Sequence, residues 1–118
     1  IIAFYAATQE MGLEENITTF TASEFGRTLT VNGDGTDHGW GNHHFVVGGA
    51  VNGGEVYGTV PPYEIGHEQD AGSGRLIPTT SIEQFAAPLG RWFGLSDSDL
   101  GGALPGLANF SDGGLNFI

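Results

Sequence analysis

From Ser23 to Asn42 the chain reads SEFGRTLTVNGDGTDHGWGN, a stretch so dense in Gly, Asp, Asn and Thr that it predicts a long loop. Any core must then come from the segments on either side. A loop of this length is usually functional or disordered, and the anchors Phe25 and Trp40 argue against disorder.

Upstream, Ile1, Phe4, Ala7 (or Ala6) and Met11 repeat close to a 3.6-residue period, which predicts a helix within Ile1 to Glu15 that ends near Gly12. It opens on a bare Ile-Ile pair without a capping residue, so the chain is expected to be cut from something longer upstream. Asn16 to Ala22 (NITTFTA) is short and rich in β-branched and aromatic residues. It reads as a buried strand that delivers Ser23 and Glu24 to its C-terminal end.

Downstream, His44 to Gly48 and Glu55 to Val60 read as a β-hairpin turned by Val51-Asn52-Gly53-Gly54 and stopped by Pro61-Pro62. Residues 63 to 78 read as an irregular surface crossing. Thr80 and Glu83 then have capping-box spacing, and Ile82, Phe85, Ala86, Leu89, Trp92 and Phe93 fall on one helical face. Pro88 predicts a kink or break in that helix. Ser96 is placed to cap a short helix reaching Leu104, with Asp97 and Asp99 in its first turn. The tail through Asn109, Phe110 and Phe117 carries no assignment.

A chain of 118 residues is expected to form one domain or part of one. It has 14 Asp and Glu against 3 basic residues, a net charge of -11, no Lys and no Cys. With Arg27, Arg75 and Arg91 as the only permanent cations, the surface repels polyanions, which argues against nucleic acid and anionic membranes as partners. No apolar run approaches the ~20 residues that a membrane span requires. Without Cys there is no disulfide and no thiolate zinc site, so any metal must be held by Asp, Glu and His.

Asp37 and His38 in GTDHGWGNHH are the most informative pair: a carboxylate beside an imidazole, framed by glycines that let the backbone approach an ion or oxyanion. Glu24 brings the candidate ligands to three, and three protein ligands plus water is the usual catalytic zinc pattern. The competing reading is a simply solvated Gly-Asp-His loop. His43 and His44 are adjacent at a strand start and point to opposite faces, so only one of them can join His38, and the other is structural. His67 reads as an exposed histidine.

Asn32 to Asp37 also approaches the start of a calcium loop, but position 6 is Asp37 instead of Gly and position 12 is His43 instead of Glu. Arg27 and Arg75 sit beside Gly-rich loops where a guanidinium can bind a phosphate, sulfate or carboxylate, with pairing to a carboxylate of the chain as the alternative. No Ser or Thr has a His at a spacing that implies a nucleophile and base.

The blocks TFTASEFGRTLTVNGDGTDHGWGNHHFVVGGAVNGGEVYG and GRLIPTTSIEQFAAPLGRWFGLS resemble the C-terminal part of a bacterial family, domain of unknown function 1501, exported sulfatase-like proteins. The resemblance runs over nearly the whole chain, to the closing LANF and LNFI. It implies an α/β, alkaline-phosphatase-like domain: a mostly parallel sheet with flanking helices, carrying metal ligands on loops at strand C-termini. Residues 1–118 would then be the C-terminal fragment of one such domain, with the nucleophile upstream and a periplasmic or extracellular home. In the superfamily a strand of this kind commonly ends in an Asp-His ligand pair. Here Ser23-Glu24-Phe25 takes that place, and Asp37-His38 lies in the later loop. Glu24 can stand for the Asp but Phe25 cannot replace the His, which puts a full two-metal site in doubt.

Two functions are therefore expected to compete. One is a metal-dependent sulfatase-like or phosphatase-like hydrolase, with Glu24, Asp37, His38 and His43 around Zn, Mn or Ca, Arg27 receiving the ester anion, and no organic cofactor. The other is a non-catalytic exported binding or surface module that uses the Gly-rich loop for a structural cation or a glycan.

Overall fold

The computed structural model describes all residues, 1–118. In chain order its elements are α1 (Ile2–Glu10), β1 (Thr18–Phe20), β2 (Arg27–Val31), β3 (Thr36–His38), β4 (Val46–Gly48), α2 (Ile82–Phe93) and α3 (Asp97–Ala103), with 3-10 turns at Glu14–Asn16 and Pro105–Asn109. Helices and short strands are mixed. Both sheets are two-stranded and antiparallel, β1 with β4 and β2 with β3. The chain divides into two compact units: Ile1–Phe20, Val46–Tyr57 and Thr80–Ile118 form the first, Thr21–Phe45 and Gly58–Thr79 the second.

In the first unit α1 ends before Gly12, as its sequence predicts, but its apolar stripe does not face a core. Ile2 is 87% exposed and Phe4 and Met11 are also exposed, whereas the buried residue is Thr8, whose hydroxyl donates to Tyr5 O at 2.7 Å. The expected hairpin between residues 44–48 and 55–60 does not form, and residues 55–60 contain no strand. β4 pairs with β1 instead, Phe20 opposite Val46 and Thr18 opposite Gly48. The turn residues do turn the chain, but towards the C-terminal tail: Asn52 N–H donates to Phe117 O at 2.8 Å, and Tyr57 OH donates to Asn52 O at 2.8 Å.

α2 starts one residue later than its spacing suggested. Ser81, not Thr80, is the cap: its hydroxyl accepts from Gln84 N–H at 3.1 Å while Gln84 Oε1 accepts from Ser81 N–H at 3.0 Å. The sequence predicts a kink or break at Pro88; the helix does not break there and runs through it as one element. Proline cannot donate to the carbonyl four residues back. That carbonyl, Gln84 O, accepts from Leu115 N–H at 3.0 Å, so the tail supplies the bond the helix lacks. Gln84 Nε2 also donates to both Asp112 oxygens, at 3.0 and 2.8 Å.

These bonds seat Phe117, which is 2% exposed and lies beside the rings of Phe85 and Tyr57. The face of α2 that is buried is Gln84, Ala87 and Pro88, whereas Ile82 and Phe93 are exposed. α3 is capped by Ser96, as expected, and buries Leu100. No helix is long and apolar enough to cross a membrane.

In the second unit, the segment expected to be a loop contains the β2–β3 hairpin. RTLTV supplies β-branched residues, and Asn32-Gly33-Asp34-Gly35 supplies the turn, with φ of +90° at Gly33. The oxygens that suggested a cation loop serve this turn: Asn32 Oδ1 accepts from Asp34 N–H at 3.1 Å. The register shifts between the Arg27–His38 and Val31–Thr36 pairs. The buried Thr28 hydroxyl takes up the irregularity by accepting from Asp37 N–H at 3.1 Å. Residues 63–78 are irregular, as expected, and lie along β2: Leu29 N–H donates to Gly74 O, and Thr30 Oγ1 to Ser73 O.

Candidate functional site

The candidate residues all lie in the second unit. Glu24 follows β1 by four residues, is exposed, and with Ala22 and Ser23 lines an open hollow of about 310 Å³. Asp37 and His38 are successive residues of β3, so their side chains leave opposite faces of the strand. The Asp37 carboxylate accepts from Asn32 Nδ2 at 2.6 Å. The His38 ring is stacked on Phe25, centroids 3.7 Å apart and planes 17° from parallel.

His43 is exposed, and its backbone N–H donates to Asn42 Oδ1 at 2.9 Å. His44 is half-buried, with Nδ1 3.4 Å from the Thr21 hydroxyl. No three Asp, Glu or His side chains converge into a group arranged to hold a metal ion. What the structure does bring together is Arg27, Phe25 and His38. Arg27 lies opposite His38 in the ladder, and its guanidinium carbon is 5.4 Å from the centre of the Phe25 ring. Its Nη1 donates to Thr36 O at 2.8 Å. Arg27 has no carboxylate partner; the ion pair of the chain is Arg91 with Asp97, at 3.0 Å.

One further residue shapes this unit without having stood out in the sequence. Asp70 is a hub for the irregular segment: Oδ2 accepts from Gly66 N–H at 2.8 Å, and Oδ1 from Gly72 and Gly74 N–H at 2.8 and 2.9 Å. The bond from Gly66 does most to hold its carboxyl below the usual carboxylate range; burial opposes it, and the backbone bonds from Gly72, Gly74 and Arg75 add to the lowering. A carboxyl lowered in the folded state stabilises it above its unfolded value and stops doing so as pH falls through the folded value. The Gly66, Gly72 and Gly74 amide resonances are therefore expected to stay fixed from neutral pH down to the ordinary Asp range and to move together below it. Independent movement of the three would contradict the shared hub.

His67, expected to be exposed, is half-buried, and its Nδ1 accepts from Gln69 N–H at 3.1 Å, which puts any single ring proton on Nε2. The signal for Asp70 was present as an Asp ahead of the Gly-Ser-Gly run 72–74. Phe25 gave a signal as an aromatic anchor of the Gly-rich segment and as a departure from the superfamily pattern.

Comparison with known proteins was informative at the level of the family. The model for the protein family of unknown function DUF1501 matches residues 1–103. The chain belongs to that family. Its DUF1501 membership covers β1 to β4, α2 and α3, and thus every candidate residue described above. No curated protein and no solved structure matches the chain.

Proposed function

We propose that this DUF1501 chain is the C-terminal part of an exported, metal-dependent hydrolase of sulfate or phosphate esters, built on an alkaline-phosphatase-like domain with a mostly parallel sheet. The observation that carries the reading is the concentration of Glu24, Asp37, His38 and His43, the candidate ligands, with the unpaired Arg27 in one compact unit. A divalent ion such as Zn, Mn or Ca would polarise the ester oxygen and neutralise developing charge. Glu24, Asp37, His38 and His43 are the candidate ligands of this unit, of which Asp37 and His38, on opposite faces of β3, would not both reach the same ion, and Arg27 would receive the ester anion. The nucleophile lies outside this segment.

A second reading has its own observation in favour. Asp37 is engaged by Asn32, and His38 is stacked on Phe25, an arrangement suited to a rigid binding surface with a structural cation or a bound glycan. Turnover separates the two. Full-length protein supplied with Zn, Mn or Ca is expected to hydrolyse an aryl sulfate or aryl phosphate, and His38→Ala to lower kcat by about 100-fold or more. No turnover with either ester and any of the three metals would favour the binding module.

A further inference from the structure

A chain with 14 carboxylates offers an arginine many internal partners, yet of Arg27, Arg75 and Arg91 only Arg91 is paired, with Asp97, and of the two unpaired ones Arg27 is the one set against an aromatic ring. Arg27 is exposed and takes none, although it is far from unconstrained. One edge of its guanidinium is fixed by Thr36 O, and the Phe25 ring lies within cation–π range. The same ring stacks on His38, the ladder partner of Arg27, and residues opposite each other in an antiparallel pair share a face. One aromatic side chain thus touches both the cation and the imidazole.

We infer that Phe25 is a positioning residue that holds Arg27 beside His38 as a preassembled receptor for a tetrahedral oxyanion, the sulfate or phosphate group of an ester. The remaining N–H donors of the guanidinium form the fork that such an oxygen pair accepts. The alternation of β3 sends the Asp37 carboxylate to the other face, away from the anion. Stacking also reduces the rotamer freedom that Arg27 would lose on binding. The inference rests on the hydrolase reading for the class of its ligand, but the binding itself requires neither metal nor turnover.

The test uses the full chain in EDTA at low ionic strength, titrated with inorganic phosphate and, separately, inorganic sulfate. Calorimetry gives the affinity, and the Arg27 side-chain Nε–H resonance reports the site. Saturable binding of either anion with a shift of that resonance is expected, and the preferred anion identifies the ester class. Arg27→Gln is expected to weaken binding at least about tenfold, as befits the loss of charge-assisted hydrogen bonds. Arg75→Gln removes the same charge from the same unit and is expected to change affinity less than about twofold. Phe25→Leu is expected to weaken binding about three- to fivefold, and Phe25→Trp to restore it, because the ring face is what holds the guanidinium. Absence of binding by both anions, equal losses in Arg27→Gln and Arg75→Gln, or a Phe25→Leu protein that binds like wild type would each overturn the assignment. Absence of turnover in a wild-type protein that binds phosphate through Arg27 would count against the hydrolase reading alone.

Discussion

Gly26→Ala is expected to abolish the ordered hairpin of the second unit, with a cost of more than about 3 kcal/mol. Gly26 is buried, its N–H donates to Trp40 O at 3.2 Å, and its carbonyl accepts from Gly39 N–H at 2.8 Å. A Cβ added there would overlap Gly41 O and crowd the Gly41 carbonyl carbon. These are backbone atoms, which cannot rotate away as the end of a side chain can. Gly41 is itself fixed, since its N–H donates to Leu76 O at 2.7 Å. The expected readout is loss of the ring-current shift that Phe25 imposes on His38, together with a lowered unfolding midpoint. A Gly26→Ala protein that kept the His38 shift and melted like wild type would show that the two loops do not approach as described.

Phe117→Ala is expected to cost about 3–5 kcal/mol in the first unit, the usual range for a large aromatic side chain removed from a core. Against a total stability of about 5–15 kcal/mol for a typical domain, that is enough to make folding marginal. Phe117 is one of three buried hydrophobic residues, with Ala87 and Leu100, and the only aromatic one, so little else can fill the space. Its neighbours Phe85 and Tyr57 would each lose a ring contact. Phe110→Ala is the comparison, because Phe110 is 37% exposed and is expected to cost well under half as much. Equal unfolding midpoints for the two variants would mean that the tail does not close this core.

Both residues show where the sequence was legible and where it was not. α1, β1, β4, α2 and α3 were each anticipated from periodicity, β-branched content or capping residues, because those signals are local, although β1, expected to be buried, is half-buried and leaves Phe20 exposed. The pairing of β1 with β4 was not, since register between distant segments is decided by close approach. Gly48, for example, is opposed by Ile17 O, which a Cβ would meet at 2.9 Å. Phe117 and Leu115 act through Asn52 and Gln84, partners far away in the chain, so no window of sequence around the tail reveals its role. Pro88 is the sharpest case: the helix survives it because a residue 27 positions later supplies the missing donor.

The β2–β3 hairpin was missed for a different reason. Its turn, Asn32-Gly33-Asp34-Gly35, carries ordinary hairpin chemistry, but the same Asn and Asp oxygens also resemble cation ligands, and glycine density around them masked the alternation in RTLTV. Glu24, Asp37, His38 and His43 were picked by residue type, by the glycines around them and by the family resemblance. The structure adds what type cannot carry: Asp37 and His38 face opposite ways, and His38 belongs to a stack with Phe25 and Arg27.

The most direct test of the metal-dependent reading is elemental mass spectrometry of purified, dialysed full-length protein, wild type beside Asp37→Ala and His38→Ala. The account predicts near-stoichiometric Zn, Mn or Ca in the wild type and its loss in at least one of the two variants; a wild-type protein that binds none of the three, even after each is supplied during purification, would contradict it.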